Sequence, residues 1–217
     1  MKIKIRQAEI KDIPDILILE ENVWPEGLRA NEKQFFSRIK IFPEGNLVAE
    51  EIGTKNIVGV VATEIVKYDL NNPVSTWKEI TDNGFIKKTH KEGEDTLYGV
   101  DLSVSRFSNH ASSALLVAIA KLVIKRNLKQ AILGARIPRY YKNSKDMEVN
   151  DYVYGKKGKR PFDPELAFYN RMGLNIAGIL PNYINDPQSK NYGVLLVWKN
   201  PFFGKPFPKI WSWLFRK

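Results

Sequence analysis

The sequence contains no cysteine and only two histidines, His90 and His110. The absence of cysteine excludes a disulfide framework, a cysteine nucleophile and thiolate metal ligands. With no thiolate and two isolated imidazoles, the chain lacks the usual ligand set of a zinc site. We therefore predict that the protein holds no metal.

Long hydrophobic runs are also absent. No stretch reaches the roughly 20 apolar residues that a transmembrane helix needs. Residues 1–12, MKIKIRQAEIKD, lack the continuous apolar segment of a signal peptide. These two observations predict a cytoplasmic protein.

The composition is typical of a folded globular protein, with 43% apolar and 12% aromatic residues in a chain of 217. This length suffices for one sizeable core. We predict a single domain over residues 1–200, with insertions at about 68–95 and 138–162, followed by a tail over 201–217. We expect the first insertion either to shape the substrate site or to form a surface loop.

Local patterns predict individual elements of this domain. Asp12 and Pro14 indicate a helix start near Ile13. A second helix is predicted over residues 31–41. Two alternating apolar runs, 47–52 and 57–66, are separated by the turn 53–56, which predicts an antiparallel hairpin.

The segment Val100–Ala114, VDLSVSRFSNHASSA, is the most informative part of the chain. Its first residues alternate between apolar and polar, which predicts a strand, and its last residues begin a helical apolar pattern. Small and polar residues lie between the two elements. A strand that turns directly into a helix aims backbone N–H groups and the helix dipole at one point, which suits a pyrophosphate. The alternative is an ordinary helix cap that binds nothing.

Three groups of residues in this chain resemble the GNAT (GCN5-related) N-acetyltransferase superfamily. The elbow at 105–114 is similar to its acetyl-CoA-binding motif, and residues 167–174, AFYNRMGL, are similar to its helix-to-strand segment. Residues 134–143, 179–183 and 191–201 resemble, in that order, the GNAT domain that is joined to a carbon–nitrogen hydrolase domain in some bacterial proteins. The resemblance covers roughly residues 1 to 200. The elbow departs from the motif because it contains no glycine.

The resemblance implies a mixed α/β fold, in which helices flank a central, mostly antiparallel, splayed sheet. It also implies acetyl-CoA as the co-substrate. The residues expected to bind it are those of the central strand, the elbow and the later helix, namely Leu102, Ser103, Val104, Asn109, His110, Ala111, Ser112, Ser113, Ala114 and Arg171. The first three would pair with the pantetheine arm through their backbone groups.

The same resemblance implies direct transfer of an acetyl group to an amine of a small molecule or a protein, without an acyl-enzyme. It assigns Tyr169 the role of general acid toward the leaving thiolate, or leaves it as a core residue if the motif has lost its function. Asp101 and Glu64 are the two candidates for the general base. The alternative to catalysis is a degenerate GNAT fold that binds CoA, or nothing, and serves interaction.

The formal net charge of +10 favours an anionic partner but does not identify one. The basic run at 155–160, GKKGKR, would contact the 3′-phosphate of the co-substrate or a polyanion such as RNA, or it is a solvated loop. No RNA-binding signature accompanies it, so nucleic acid is not a predicted partner. The tail carries aromatic and basic residues at helical spacing. It would contact a membrane peripherally, pack on its own domain, or join two copies as a homodimer.

Overall fold

Seven strands form one continuous sheet in the computed structural model, which describes residues 2–73, 76–108, 110–155 and 163–215. The order across the sheet is β1-β2-β3-β4-β5-β7-β6, and every neighbouring pair is antiparallel except β4 and β5, which are parallel. This confirms the predicted mixed, mostly antiparallel α/β fold. The strands are β1 Ile3–Gln7, β2 Asn46–Glu51, β3 Ile57–Val66, β4 Thr96–Val104, β5 Gln130–Arg136, β6 Asn175–Leu180 and β7 Gly193–Lys199.

Helices pack on the sheet, and their starts follow from local capping. Asn31 accepts a hydrogen bond from the Gln34 backbone N–H at 3.1 Å, and Asp163 caps Glu165 N–H at 2.8 Å. The helices are α1 Ile13–Val23, α2 Glu32–Ile41, α3 Trp77–Ile80, α4 Ala111–Lys125, α5 Tyr140–Asn143, α6 Val149–Tyr154, α7 Pro164–Arg171 and α8 Pro208–Leu214. Within the described residues, no helix is long and apolar enough to cross a membrane.

The sheet is buried on both faces, and β3 shows why its sequence is almost continuously apolar. Val60 packs into a cluster with Ile16 of α1 and Phe35 of α2. The next residue, Val61, points to the other face and packs with Leu115 of α4. Adjacent strand residues face opposite sides. Helices α1 and α2 therefore cover one face of the sheet, and α4 covers the other.

The parallel strands β4 and β5 separate part-way along their length. They pair from Thr96 opposite Gln130 to Gly99 opposite Leu133, where the register ends. Beyond that point β4 continues to pair with β3, and β5 continues to pair with β7. A Cβ atom on Gly99 would lie 3.0 Å from the Leu133 Cβ, so glycine suits the last point of contact. The second half of β4 therefore presents an edge toward β5 that β5 does not pair.

The first predicted insertion packs against the domain. Arg38 Nε donates to the Gly84 carbonyl at 2.7 Å, and Ser37 Oγ donates to the Phe85 carbonyl at 2.7 Å. These contacts attach residues 81–86 to α2, next to the open half of β4. The division into one domain over 1–200 and a tail over 201–217 stays a prediction.

The C-terminal tail forms α8, which packs on α4 of the same chain. Ser212 Oγ donates to the Lys121 carbonyl at 2.8 Å. The Trp211 ring stacks on Phe202, with centroids 5.1 Å apart. Docking on its own domain, one of the three predicted alternatives, is therefore what the structure shows for the inner side of this helix.

Candidate functional site

A cavity of about 480 Å³ occupies the opening between β4 and β5. One side is formed by α4 and α7, and the other by the end of α1, by α3 and by the loop between β6 and β7. Representative lining residues are Leu116, Val117, Phe168 and Tyr169 on the first side, and Trp24, Trp77, Tyr183 and Ile184 on the second. Because residues from both faces of the sheet line one cavity, the opening connects the two faces.

A buried ion pair supports Asp101 on the wall of this cavity. Asp101 Oδ2 lies 2.9 Å from Nη1 of Arg38, a fully buried residue of α2. The Arg38 Nη2 atom is also buried, and no described residue forms a hydrogen bond with it. The sequence of β4 turns Asp101 toward α2 because its apolar neighbours, Val100 and Leu102, take the opposite face.

Ser103, two residues further along β4, joins Asp101 to Glu20 of α1. Its Oγ contacts a Glu20 carboxyl oxygen, lies 3.2 Å from Asp101 Oδ1, and accepts a hydrogen bond from Trp24 Nε1 at 2.5 Å. A hydroxyl carries one proton and cannot donate to two carboxylates. The contacts of the Ser103 hydroxyl are all satisfied when protonated Glu20 donates to Ser103 and Ser103 donates to Asp101.

The electrostatics agree with a protonated Glu20. Burial, followed by the charge of Asp101, raises the pKa of Glu20 to about 8. The Glu20–Ser103–Asp101–Arg38 group then carries one negative and one positive charge and is neutral overall. Paired charges and satisfied hydrogen bonds stabilise a buried polar group of this kind, and in this group Arg38 Nη2 stays without a partner among the described residues.

Tyr169 and Glu165 lie one turn apart on α7, and both line the cavity. Burial, with the nearby carboxylates of Glu165 and Asp101, raises the pKa of Tyr169, so its phenol stays protonated. Glu165 is an exposed residue: desolvation of its carboxyl group by the neighbouring protein and then the charge of Asp163 raise its pKa to about 7, and contact with solvent screens this shift. The cavity thus contains a neutral phenol and a carboxyl group that titrates near neutral pH.

Two glycines make room for the Tyr183 ring at the cavity. A Cβ atom on Gly134 or on Gly193 would overlap that ring. The Tyr183 hydroxyl forms a buried hydrogen bond with the hydroxyl of Tyr98 on β4. The Tyr183 side chain is therefore the point where three segments that carry the sequence resemblance meet, namely 134–143, 179–183 and 191–201.

One comparison identifies the family. "Uncharacterized N-acetyltransferase YkwB" of Bacillus subtilis (strain 168) is 36% identical over 207 residues, which cover 93% of this chain and 90% of that protein. The chain belongs to the GNAT N-acetyltransferase superfamily. No family model matches the sequence.

A second relative is the "Probable hydrolase YhcX" of Bacillus subtilis (strain 168), which is 31% identical over 202 residues. The match covers 92% of this chain but 39% of that protein. The special likeness to GNAT domains joined to carbon–nitrogen hydrolases stays a prediction.

Solved structures share the GNAT fold at lower identity. The "GphF GNAT-like decarboxylase in complex with isobutyryl-CoA" has a TM-score of 0.75 at 22% identity and covers 91% of this chain and 99% of that one. The "loading GNATL domain of CurA from Lyngbya majuscula" has a TM-score of 0.76 at 20% identity, covering 92% and 98%. The ribosomal-protein-S18-alanine N-acetyltransferase from Escherichia coli has a TM-score of 0.58 at 15% identity, covering 94% and 98%. At these identities the likeness shows the fold.

The structure places the predicted GNAT site residues in three groups. Those that line the cavity are Asp101, Leu102, Val104, Ser112 and Tyr169. Those at the elbow but outside the lining are His110, Ala111, Ser113 and Ala114, with Ser113 Oγ donating to the His110 carbonyl at 3.0 Å. In the third group, the Ser103 side chain belongs to the buried polar group, and Arg171 is exposed at the end of α7. Asn109 lies outside the described residues, and so do residues 156–160 of the basic run.

Glu64, the other predicted base, is fully buried in β3 and is not among the described residues that line the cavity. Thr89 Oγ1 donates to Oε2 of Glu64 at 2.6 Å, while Oε1 has no hydrogen-bond partner in the described part of the chain. Burial raises the pKa of Glu64 to about 8, so at pH 7 it is mostly neutral. Both features favour a structural role for Glu64, and Asp101 is the predicted base that faces the cavity.

Sequence reasoning missed several residues of the site, among them Trp24, Trp77, Arg38 and Glu165. Glu20 and Arg38 each interrupt the apolar stripe of an amphipathic helix, which is a detectable signal of a buried charge. Trp77 gave no such signal: its Nε1 donates to the Val100 carbonyl at 3.0 Å through a contact between distant segments. The described residues contain no group of three or more histidine and acidic side chains that could hold a metal.

Proposed function

We propose that this GNAT protein is an acetyl-CoA-dependent N-acetyltransferase that transfers the acetyl group directly to an amine. The observation that carries the proposal is the cavity at the open edge of β4, where Tyr169, Asp101 and Glu165 share one space. In the reaction the amine nitrogen bonds to the acetyl carbon and the carbon–sulfur bond breaks. An acceptor bound as an ammonium ion loses one proton before its nitrogen attacks and a second as the amide forms. One proton goes to the leaving thiolate and the other leaves through a base to solvent, so the site needs a proton acceptor and a proton donor.

The donor half of the site is the edge of β4 together with the elbow. The backbone of Leu102–Val104 offers hydrogen-bonding groups that β5 does not use, which suits the amides of a pantetheine arm. At the start of α4 the Ala111 N–H donates to the Ser108 carbonyl at 3.1 Å, whereas those of Ser112 and Ser113 have no acceptor one turn earlier within the helix and suit a pyrophosphate. Ser108 supports this assignment, because its hydroxyl is buried just before α4 and has no hydrogen-bond partner among the residues that the structure describes.

The proton transfers are assigned from the electrostatics of the cavity. Tyr169 keeps its proton at neutral pH and supplies it to the leaving thiolate. Glu165, with a pKa of about 7, is suited to accept the amine proton, directly or through a water molecule. Asp101, fixed by Arg38 and Ser103, holds the positively charged amine before it is deprotonated.

The acceptor half of the site suits an amine with an apolar substituent. The indole N–H groups of Trp24 and Trp77 are used within the protein, by Ser103 and by the Val100 carbonyl. The two rings therefore offer mainly apolar surface to the cavity. We infer that the acceptor places an alkyl or aromatic group against them and its ammonium group against Asp101.

A thiol-release assay tests the proposal, with acetyl-CoA and isobutyryl-CoA as donors and a panel of amines as acceptors. We expect turnover with acetyl-CoA and a higher kcat/KM for alkyl and aryl amines than for amino sugars or polyamines. Titration calorimetry with CoA separates the alternatives. Binding without turnover of any amine would favour a degenerate CoA-binding module, and no binding would contradict the donor site itself.

A further inference from the structure

Helix α8 has an apolar surface on both of its sides. Its inner side packs on the domain through Trp211 and Phe215, which contact Phe202 and Trp198. Its outer side consists of exposed apolar residues at helical spacing, together with the residue that precedes the helix: Phe207, Ile210, Trp213 and Leu214. We call these four residues the outer face of α8. Packing on the domain explains why the inner side of α8 is apolar, but it does not explain why the outer face is apolar.

The exposure of the outer face is large. Phe207 is 71% exposed, Trp213 61%, Ile210 53% and Leu214 47%. Twelve large apolar side chains are exposed in the described part of the chain, and five of them lie between residues 203 and 214. Scattered apolar residues need no explanation, but a contiguous patch on one short helix indicates a binding surface.

Lysines surround the outer face of α8. Lys209 of α8 and Lys121 and Lys125 of α4 line one surface pocket together with Trp213. Lys205 precedes the helix, and its Nζ lies 5.8 Å from the Trp211 ring centroid. Aromatic and aliphatic side chains bordered by lysines match the layer of a bilayer where acyl chains meet negatively charged headgroups.

We propose that the outer face of α8 docks the protein on the surface of an anionic phospholipid bilayer. The apolar side chains enter the headgroup–acyl boundary, and the lysines contact lipid phosphates. The domain stays on one side of the membrane. This inference rests on the surface of α8 and α4 and is independent of the proposed acetyltransferase reaction.

A triple variant, Phe207→Asn, Ile210→Gln and Leu214→Gln, tests the docking while keeping the inner side intact. Phe207 has a φ of 59°, a left-handed conformation that asparagine adopts more readily than phenylalanine, so this change does not threaten folding. The matched control is Ile18→Gln with Phe36→Gln, which removes exposed apolar side chains from α1 and α2. Circular dichroism of all proteins establishes that they fold.

The measurement is co-sedimentation with phosphatidylcholine vesicles that contain or lack phosphatidylglycerol. We expect the wild type and the control to bind the anionic vesicles, and the triple variant to bind about tenfold more weakly or worse. Lys125→Gln with Lys209→Gln is also expected to weaken binding about tenfold and to reduce its sensitivity to salt.

Three results would overturn the proposal. The first is equal binding by the wild type and the triple variant, and the second is equal binding to vesicles with and without phosphatidylglycerol. The third is no vesicle binding by the wild type. If sedimentation velocity then shows a wild-type dimer and a monomeric triple variant, a second copy of the chain covers this face instead.

Discussion

Replacing Glu64 with glutamine tests whether this buried carboxyl group keeps its proton at neutral pH. Its pKa is about 8 in the folded protein, against 4.5 for the ordinary residue, because it is buried in β3. Between these values the unfolded chain ionises while the folded protein stays protonated, so the free energy of unfolding falls as the pH rises. At about 1.4 kcal/mol for each unit of pKa, this loss amounts to about 2 to 3 kcal/mol between pH 5 and pH 7.

Glutamine resembles a protonated glutamate in shape and cannot ionise, so Glu64→Gln removes the pH-dependent loss. Both proteins are unfolded in urea near pH 5, 6 and 7, and the transition is followed by tryptophan fluorescence. The difference in unfolding free energy, variant minus wild type, is expected to become about 2 to 3 kcal/mol more positive across this range. The control Glu21→Gln, at an exposed site on α1, should change stability by less than about 0.5 kcal/mol at each pH.

A difference that stays constant from pH 5 to pH 7 would refute the reasoning, because Glu64 would then ionise alike in the folded and unfolded states. A constant offset does not count as evidence, since an amide can change the contact with Thr89 at every pH. The outcome also bears on chemistry. If Glu64 ionises in the folded protein, it returns to the candidates for the general base.

Three further substitutions test other parts of the structure. Asp101→Asn leaves the buried Arg38 without its counter-charge, so we expect it to lower the free energy of unfolding in urea by about 3 to 5 kcal/mol. A loss below about 1 kcal/mol would contradict the buried ion pair. Tyr169→Phe should lower kcat about 10²–10⁴-fold and leave CoA binding by calorimetry unchanged, whereas an unchanged kcat would exclude Tyr169 as the acid. Gly134→Ala should cost about 1 to 3 kcal/mol, because its methyl group overlaps Tyr183. The control is Gly27→Ala, because no atom of the described residues beyond its chain neighbours lies within 4 Å of the added Cβ. Equal losses of unfolding free energy in the two variants would contradict the packing of Tyr183 on Gly134.

The parts of the fold that depend on local signals were predictable from the sequence. The hairpin predicted over 47–52 and 57–66 is β2 Asn46–Glu51 and β3 Ile57–Val66, and the helix predicted over 31–41 is α2 with Asn31 as its cap. The strand–elbow–helix at 100–114 is also confirmed as β4 followed by α4. Apolar periodicity and capping residues decide these elements within a few residues of chain.

The functional geometry was not predictable in the same way, because its contacts join distant segments. Ser103 meets Glu20 across 83 residues, and Arg38 meets Asp101 across 63. The sequence offered Asp101 and Glu64 as equivalent carboxylates, since neither burial nor the position of a partner cation is visible in a local pattern. Only the packed fold shows that Asp101 faces the cavity and that Glu64 does not.

The distribution of protons around the cavity follows from which carboxyl groups have a cation beside them. Asp101 forms an ion pair with Arg38, whereas the carboxyl group of Glu64 accepts a hydrogen bond from the Thr89 hydroxyl and that of Glu20 contacts Ser103 and the Ala30 N–H. Burial, which the more distant charge of Arg38 only partly offsets, raises the pKa of Glu20 and of Glu64 to about 8. Arg38, which α2 places against β4, thus accounts for the charged carboxylate of Asp101 on the cavity wall. The nearby buried carboxyl groups of Glu20 and Glu64 keep their protons. Glu165 is exposed at the start of α7 and exchanges protons with solvent, and for that reason it is the carboxyl group best suited to gain and lose a proton during turnover.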